Sequence, residues 1–415
     1  MHVSSRRGFT LIELLVVIAI IAILAVVVVL TLNPAELLRQ SRDSNRVSDM
    51  ATLNSAINLY NTDQSGSRTY SLGLSNTVYL SIPDPNATTT AGTNCALLGL
   101  PALPSLYTYH CAASSTYRNT NGTGWIPVNL SSISSGAPLG SLPVDPTNNS
   151  SSRLYYTYTT NGSQFETTAV MESQKYQLGG SNDVISTDGG ALASVYEKGS
   201  KFGLEPLDYG DTALVGFWPL NEGANSIAYD DSGNNATGSW NGTQAGTSGY
   251  YSPGKVRPWA GAFDGSTDYV NGPLPSIAPN QSTITAWTYV NSVASGTISW
   301  AAALYTGPQL FSIYSTGMSY WPDTGNYSFA YANNFLNSWN FVAAVWNYQT
   351  ETGSLYINGQ QVTTGASALP RIQTNNTFQI GTFNSVYYPG IINNVRIYNR
   401  ALSAAQIAAM YNGGK

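Results

Sequence analysis

Charged side chains are scarce in this chain of 415 residues. Asp, Glu, Lys and Arg make up 9% of it, with 17 basic and 22 acidic residues and a formal net charge of −5. Binding to nucleic acid needs a concentration of basic side chains that this composition does not supply. The polar surface must come instead from Ser, Thr, Asn, Gly and Tyr, a weakly charged composition that suits an exported protein.

Histidine and cysteine are rarer still. The chain has two of each, at His2, His110, Cys95 and Cys111, and neither type occurs after residue 111. The rest of the chain therefore holds no zinc site built from His or Cys and no nucleophile activated by a His. These absences exclude two common kinds of active site from that part of the protein.

One long apolar run lies close to the N-terminus. Residues 14–30 are all apolar, and residues 14–32 carry no charge. As an α-helix this segment is roughly 28 Å long at about 1.5 Å per residue, close to the ~30 Å hydrocarbon core of a bilayer. Arg6 and Arg7 precede it. The positive-inside rule therefore predicts a single-pass segment with a cytoplasmic N-terminus before assembly and an exported remainder.

Glu13 is an acidic residue at the start of this apolar segment, where a carboxylate costs about 3 kcal/mol on insertion scales. The stretch around it, residues 7–16 (RGFTLIELLV), resembles the class III signal of type IV prepilins, shared by pilins and type II secretion pseudopilins. The resemblance implies cleavage between Gly8 and Phe9 by a prepilin peptidase, followed by N-methylation of Phe9. In the filament it implies an ion pair between Glu13 and the Phe9 ammonium of a neighbouring subunit. A plain membrane anchor with an incidental Glu is the alternative.

Helical spacing continues beyond Asn33 and Pro34. We predict one helix over residues 9–60 that is bent at Pro34, because proline removes a backbone donor and clashes with the preceding turn. The second half of this helix is expected to pack on a globular head. Its apolar side chains recur every three or four residues, at Val47, Met50, Leu53, Ile57 and Tyr60.

Residues 61–205 are predicted to form that head. Its clearest element is a β-hairpin of residues 154–158 and 164–170, with Asn161-Gly162 as a type I′ turn signal. Residues 142–146 (LPVDP) resemble the loop before the last strands of G-type pseudopilins, which carry a calcium loop near the end of the head. Asp183 and Asp188 lie in the corresponding region, and lone aspartates beside Gly and Asn are more typical of turns.

Cys95 and Cys111 fall on the exported side, where disulfides persist. The even count and the short loop predict a bridge between them, with a stabilisation of roughly 3 kcal/mol. Two free buried thiols are the alternative.

A short segment at residues 206–212 is predicted to be a stiff linker. Beyond it, many short strands with turn signals predict an all-β sandwich over residues 213–415. Motifs in this region resemble the laminin-G-like jelly roll of the concanavalin A-like superfamily. They are residues 216–223 (GFWPLNEG), 231–234 (DSGN), 263–265 (FDG), 338–342 (SWNFV), 355–359 (LYING) and 395–403 (VRIYNRALS).

The expected architecture is an α+β pilin fold, with a long N-terminal helix and a small β head, followed by an all-β jelly-roll sandwich. Residues 1–8 would be the prepilin leader. Expressed alone from about Asp211, the sandwich is expected to fold as a soluble monomer, because it has its own strands and its own tryptophans.

The resemblance also defines which chemistry to look for. Some proteins with this jelly roll are glucanases, which carry their catalytic carboxylates on one strand as Glu-x-Asp-x-x-Glu or Glu-x-Asp-x-Glu. No acidic residues after the linker have that spacing. We therefore expect no enzyme activity, and a surface-anchored glycoside hydrolase is a less favoured alternative.

Laminin-G-like domains often bind one calcium ion at a rim, and calcium is the one cofactor predicted here. Asp231 and Asn234, with the adjacent Asp230, stand in a loop that resembles the family's metal loop. Asn393-Asn394 occupies a place where many relatives have Asp-Glu, so a plain Asp-Ser-Gly-Asn turn is the alternative.

A Gly-rich stretch of the sandwich is crowded with aromatic residues. Tyr320, Trp321 and Tyr327 are the candidates there for stacking on a sugar or protein ligand. Filling the rim of the sandwich is the alternative role for such side chains.

These features lead to the hypothesis of a type IV pilin-like subunit of a surface filament. Its sandwich domain would serve adhesion to an extracellular glycan or protein. The other partners expected are further pilin subunits, the prepilin peptidase and the inner-membrane assembly machinery. A type II secretion pseudopilin is the alternative reading of the same N-terminal motif.

The first prediction concerns processing. The mature chain is expected to begin at Phe9, because the apolar segment starts just beyond Gly8 in a prepilin context. Intact-mass analysis of the protein purified from its native membrane measures this directly. A chain that still begins at Met1, or one cut beyond residue 32, would contradict the pilin interpretation.

Overall fold

The computed structural model describes residues 9–67, 70–87, 95–104, 106–242, 248–273, 281–291, 302–306, 309–321, 329–347, 349–366, 377–383 and 386–414. For some of these, including residues 26–32, only the backbone is described. The described residues form an N-terminal helical region, a small β head and a large β sandwich.

Two helices begin the chain, α1 (Leu11–Leu32) and α2 (Pro34–Gln64). The prediction of one bent helix is therefore wrong, since the helix breaks at Asn33 instead of bending at Pro34. Asn33 has a left-handed φ of 38°, and its Oδ1 accepts a hydrogen bond from the backbone N–H of Glu36 at 3.4 Å. With Pro34 in the first helical position, Asn33 acts as the N-cap that starts a new helix.

The predicted membrane segment, residues 14–32, extends beyond the side chains that the structure describes. Within the described part of the chain, no helix is both long enough and apolar enough to cross a membrane.

A buried ion network attaches α2 to the head. Arg46 is fully buried, and its Nε and Nη2 donate to the two carboxylate oxygens of Asp145 at 2.6 and 2.9 Å. Its Nη1 contacts Asp43 at 2.7 Å and Glu172 at 2.6 Å, and Glu172 also pairs with Arg42 at 2.6 Å. Removing one member of such a network would leave buried charge without compensation, which typically costs about 3–5 kcal/mol.

The head contains one five-stranded sheet. Its strands are β1 (Thr77–Asp84), β2 (Thr108–Ala113), β3 (Tyr156–Thr160), β4 (Phe165–Ala169) and β5 (Tyr196–Gly199), in the order β2-β1-β3-β4-β5. Only the β1–β2 pair is parallel. Short 3₁₀ turns lie at Cys95–Leu98 and Leu130–Ser132.

Two predictions for the head are confirmed and one detail is wrong. The hairpin is β3–β4, and Cys95 and Cys111 form a disulfide with their Cα atoms 5.8 Å apart. Its turn is longer than the predicted two-residue type I′ turn. Thr160 pairs with Phe165, and Gly162 has a positive φ of 90° whereas Asn161 does not.

The sandwich consists of many short strands and a C-terminal helix, α3 (Ala404–Gly413). In chain order the strands are β6 (Leu214–Trp218), β7 (Ile227–Ala228), β8 (Gly238–Asn241), β9 (Tyr251–Pro253), β10 (Trp259–Asp264), β11 (Tyr269–Pro273), β12 (Gln281–Val290), β13 (Ala302–Thr306), β14 (Gln309–Tyr314), β15 (Gly317–Trp321), β16 (Phe329–Ala332), β17 (Trp339–Asn347), β18 (Thr352–Ile357), β19 (Gln360–Ala366), β20 (Thr377–Ile380), β21 (Thr382–Phe383), β22 (Val386–Tyr387) and β23 (Pro389–Tyr398). A further 3₁₀ turn lies at Ser248–Tyr250.

Two large antiparallel sheets form the sandwich. The junction sheet has the order β19-β18-β17-β12-β23-β10-β9, with β6 also paired to β23, and the distal sheet has the order β16-β15-β14-β13-β20-β11-β8-β7. The all-β jelly-roll prediction is confirmed. So is the hairpin at Asn358-Gly359, where β18 and β19 meet and both turn residues have positive φ, as a type I′ turn requires.

The junction sheet is buried on both faces. Along β17, Val342, Ala344 and Trp346 belong to the core between the two sandwich sheets. The alternate residues Phe341 and Ala343 belong to a second core, which the sandwich shares with the head. A third core lies between α2 and the other face of the head sheet.

The shared core joins the head and the sandwich into one body. It combines side chains from the head sheet, from residues 206–212 and from the junction sheet. Among them are Val78, Leu80, Tyr155, Val195, Leu207, Tyr209, Phe217, Trp287, Phe341 and Tyr398. Each large apolar side chain buried there contributes about 1.5–3 kcal/mol, so the layer as a whole is a major source of stability.

Residues 206–212 form a buried strap more than a linker. Leu207, Asp208 and Tyr209 are each at most 1% exposed, and the ring of Tyr209 stacks on that of Tyr155 at a centroid distance of 5.0 Å. On the sandwich side, Arg396 contacts Asp208 at 3.4 Å and donates to the carbonyl oxygen of Ala191 at 2.8 Å. Both domains therefore pack on the strap, and its stiffness stays a prediction.

This geometry changes the expectation for the isolated sandwich. A fragment starting at Asp211 would expose Phe217, Trp287 and Phe341 to water, so it is expected to self-associate and to bind the dye ANS. The matched control is residues 34–415, which contain every member of the three cores and should elute as a monomer. Light scattering coupled to size-exclusion chromatography measures both. A monomeric 211–415 fragment without ANS binding would show that the shared core is dispensable.

Candidate functional site

The N-terminal motif is built on a capping box. The backbone N–H and the hydroxyl of Thr10 both donate to Oε2 of Glu13 at 2.8 Å, and the N–H of Glu13 donates back to Oγ1 of Thr10 at 3.3 Å. The side chain of Phe9, just before this box, is 77% exposed. Glu13 therefore starts α1 within its own chain, a local role that the sequence analysis missed although Thr10-x-x-Glu13 is a recognisable signature. Its predicted pairing with a neighbouring Phe9 stays a prediction.

The predicted calcium residues are held by protein partners. The carboxylate of Asp230 accepts hydrogen bonds from the backbone N–H groups of Phe217, Ser232 and Ala236 at 2.8–3.0 Å. The side-chain amide of Asn234 donates to the carbonyl oxygen of Leu214 at 2.7 Å. Asp230 and Asn234 thus tie a turn to β6.

Asp231 faces a cation of the protein itself. Its carboxylate lies 3.4 Å from Nη1 of Arg257, and both side chains are buried. Within the described residues, no group of three or more His, Cys, Asp or Glu side chains is placed to hold a metal ion. Asp230, Asp231 and Asn234 thus each contact protein partners, and calcium binding remains a prediction.

Of the three aromatic residues predicted to bind a ligand, the structure describes the side chain of Tyr320 alone. Tyr320 is fully buried in the sandwich core, and its hydroxyl lies 3.0 Å from that of Ser282. The prediction of Tyr320 as a ligand-binding residue is therefore wrong, because alternation along β15 turns it inward. The side chain of Trp321 and the whole of Tyr327 lie outside the described residues.

An exposed tryptophan elsewhere was missed. Trp259 is 42% exposed at the start of β10, with its indole against the backbone of Gly223. The segment that leads to it, Lys255-Val256-Arg257-Pro258-Trp259, places two cations beside an aromatic residue in a weakly charged domain. That local concentration of charge was the available sequence signal.

Buried carboxylates hold the start of the strap. Oε2 of Glu166 accepts from the backbone N–H groups of Leu204 and Glu205 at 2.6 and 2.8 Å, and Oε2 of Glu205 accepts from the hydroxyl of Thr157 at 2.5 Å. Burial, together with the nearby charge of Glu166, raises the pKa of Glu205 to about 8. At neutral pH this carboxyl is therefore mostly protonated, which suits an apolar junction.

The aspartates of the head act as turn formers. Asp183 accepts from the backbone N–H groups of Gly179, Ile185 and Ser186 at 2.8–3.0 Å. Asp188 accepts from the N–H of Glu197 at 2.8 Å, and burial raises its pKa to about 7. These bonds fix the loop that leads into β5.

Comparison with protein families gives two matches. Residues 3–29 match the prokaryotic N-terminal methylation motif, and residues 264–408 match the concanavalin A-like lectin/glucanases superfamily in its laminin-G-like form. The chain thus combines a prepilin-type N-terminus with a lectin-like jelly roll. Comparison with curated proteins gave no match.

Comparison with solved structures gives weak likenesses. A structure of botulinum neurotoxin type C, reported with a dependence of cell entry on two ganglioside molecules, is 16% identical with a TM-score of 0.40, over 49% of this chain and 52% of that one. Domain 4 of a GH43 extracellular arabinanase from Geobacillus stearothermophilus, in complex with arabinotriose, is 19% identical with a TM-score of 0.35, over 48% and 97%. The chain spans about half the length of the neurotoxin structure. Likeness at this level identifies no ligand.

The pKa of Glu205 predicts how stability depends on pH. The folded state keeps a proton that the unfolded state releases above pH ~4.5. Stability is therefore expected to fall as the pH rises from about 5 to about 8, because the unfolded state binds fewer protons in that window. Thermal unfolding at pH 5–9 measures this fall, and Glu205→Gln should reduce its slope.

Glu351→Gln is the matched control, since Glu351 is an exposed carboxylate in the turn before β18. It should leave the slope unchanged. Equal pH dependence in wild type and Glu205→Gln would rule out Glu205 as its source.

Proposed function

We propose that this chain is a type IV pilin-like subunit of a surface filament and that its sandwich binds an extracellular glycan or protein without turning it over. The helix of residues 9–32 would hold the subunit in the membrane before assembly and in the filament afterwards. Prepilin peptidase, further pilin subunits and the inner-membrane assembly machinery are the partners that this role requires.

The observation that carries the proposal is the contrast between the exposed, apolar helix α1 and the folded head and sandwich. A prepilin-type motif at residues 3–29 overlaps α1, whose described side chains are all exposed, including Leu14 at 57% and Ile23 at 65%. A helix that is apolar all round needs an apolar partner, either lipid or other helices. Among the side chains that the structure describes, those of residues 11–25 of α1 belong to none of the three cores, so the head and sandwich do not supply that partner to this part of the helix.

The described acidic residues of the sandwich support binding over hydrolysis. Asp264 accepts from the backbone N–H groups of Ser266, Thr267 and Asp268 at 2.8–3.0 Å, which makes it a turn former. Asp230 also stabilises a turn, and Asp231 pairs with Arg257, as described above. A glycosidase needs two carboxyl groups that flank the scissile bond, and these side chains serve the fold instead.

Whole cells can show whether the subunit lies in surface filaments or in the periplasm. Immunogold labelling with an antibody against the sandwich should decorate surface filaments, along their length for a major subunit or at their ends for a tip subunit. Label confined to the periplasmic side of the cell envelope would instead indicate a type II secretion pseudopilin. Release of reducing sugar from polysaccharides by the purified chain would overturn the binding role.

Glu13→Gln tests the filament role of the N-terminal carboxylate. The variant is expected to accumulate in the membrane at wild-type levels yet to be lost from sheared filaments, because a neutral amide cannot neutralise the Phe9 ammonium of a neighbour. Glu351→Gln provides the control for an exposed carboxylate. Immunoblots of membrane and sheared fractions measure both, and normal incorporation of Glu13→Gln would remove the proposed ion pair.

A further inference from the structure

A cleft of about 250 Å³ lies where the head meets the sandwich. The head contributes Gly189, Gly190 and Lys201, and the sandwich contributes Lys255 and Arg257 with other residues. Glycines on its walls leave backbone without side chains, so a ligand can approach closely. The cleft exists only because the two domains pack together.

The charge of this cleft is unusual for the chain. Three of the 17 basic residues line it, Lys201, Lys255 and Arg257, and the described lining contains no Asp or Glu. Lys201 and Lys255 are exposed. A concave site lined by positive charges attracts an anion, and its low-dielectric walls strengthen the electrostatic field inside it.

Arg257 has hydrogen-bonding capacity left over. Its Nη1 contacts Asp231 at 3.4 Å, whereas Nε and Nη2 have no hydrogen-bond partner among the described residues and are closed to solvent. Those two atoms form one edge of the guanidinium. In this same chain the corresponding edge of Arg42 holds Glu172, and that of Arg46 holds Asp145.

A buried hydrogen-bond donor without a partner lowers the stability of the fold. This favours a rotation of the Arg257 side chain that brings Nε and Nη2 to a carboxylate in the cleft. Glu197 lies behind Gly190, but burial and the neighbouring Glu166 raise its pKa well above the ordinary value. The shift favours the neutral form of that carboxyl group.

An aromatic surface lies beside the cleft. Asn221 lines the cleft. The indole of Trp259 lies against Gly223, two residues further along the chain. A partly exposed aromatic face suits stacking on the apolar face of a sugar ring. Cations and an aromatic platform together match a ligand that is both a saccharide and an acid.

We propose that this junction cleft binds the carboxylate of an acidic sugar in an extracellular polysaccharide. Lys201 and Lys255 attract the carboxylate, Arg257 takes it on its Nε–Nη2 edge, and Trp259 stacks on a neighbouring ring. The inference deepens the binding role proposed above and rests on it. The site differs from the Asp230–Asn234 loop and from the Tyr320 region.

Calorimetric titration of the full chain in detergent tests the proposal. The probes are oligogalacturonate and its neutral methyl ester. The acid should bind and the ester should bind at least about tenfold more weakly, since one charge-assisted contact is worth that factor. Arg257→Gln and Lys255→Gln should each weaken binding of the acid, and Trp259→Ala should weaken binding of both probes.

Lys175→Gln removes a cation that does not line the cleft and should leave affinity unchanged. Lys255 is exposed, so Lys255→Gln remains informative if Arg257→Gln unfolds, which thermal melting would show. Equal affinity for acid and ester, no binding of the acid, or unchanged affinity in Lys255→Gln would overturn the proposal. The immunogold result is independent of this titration, so failure here leaves the filament role standing.

Discussion

The apolar layer between head and sandwich is the contact on which the rest of this structure depends. Because of this layer, the junction sheet of the sandwich is buried on both faces. The layer also fixes the position of the strap of residues 206–212 and of the polar groups around it. Arg396 shows how these roles combine. Its guanidinium lies 3.8 Å from the ring centroid of Phe217 while it contacts Asp208 of the strap, so one side chain joins the apolar and the polar parts of the junction.

Features with a local cause could be predicted from the sequence. The β18–β19 hairpin follows from Asn358-Gly359, because both residues tolerate the positive φ that a two-residue turn requires. The closing helix follows from Ser403 and Gln406, which form a capping box at its start. The disulfide of Cys95 and Cys111 needed only an even count and an exported setting.

Features with a distant cause could not be predicted in the same way. The run FVAAVW at residues 341–346 has no polar alternation, which is typical of a strand covered on both faces. Such a run is compatible with a second covering layer, but nothing local identifies the head as that layer. Arg46 is a charged residue on α2, and its complete burial depends on Asp145, 99 residues away. Tyr320 was placed on a surface because composition does not reveal which way a strand faces.

The proposed binding of a ligand in the junction cleft would also be linked to the docking of the two domains. A ligand that touches Lys201 of the head and Lys255 of the sandwich binds the docked arrangement better than a separated one, so it stabilises the junction by mass action. In a filament, tension would pass from α2 through the Arg46 network and the head sheet to this same layer. In the proposed surface fibre, load would therefore pass through a contact that the proposed ligand strengthens, which a flexible linker could not do.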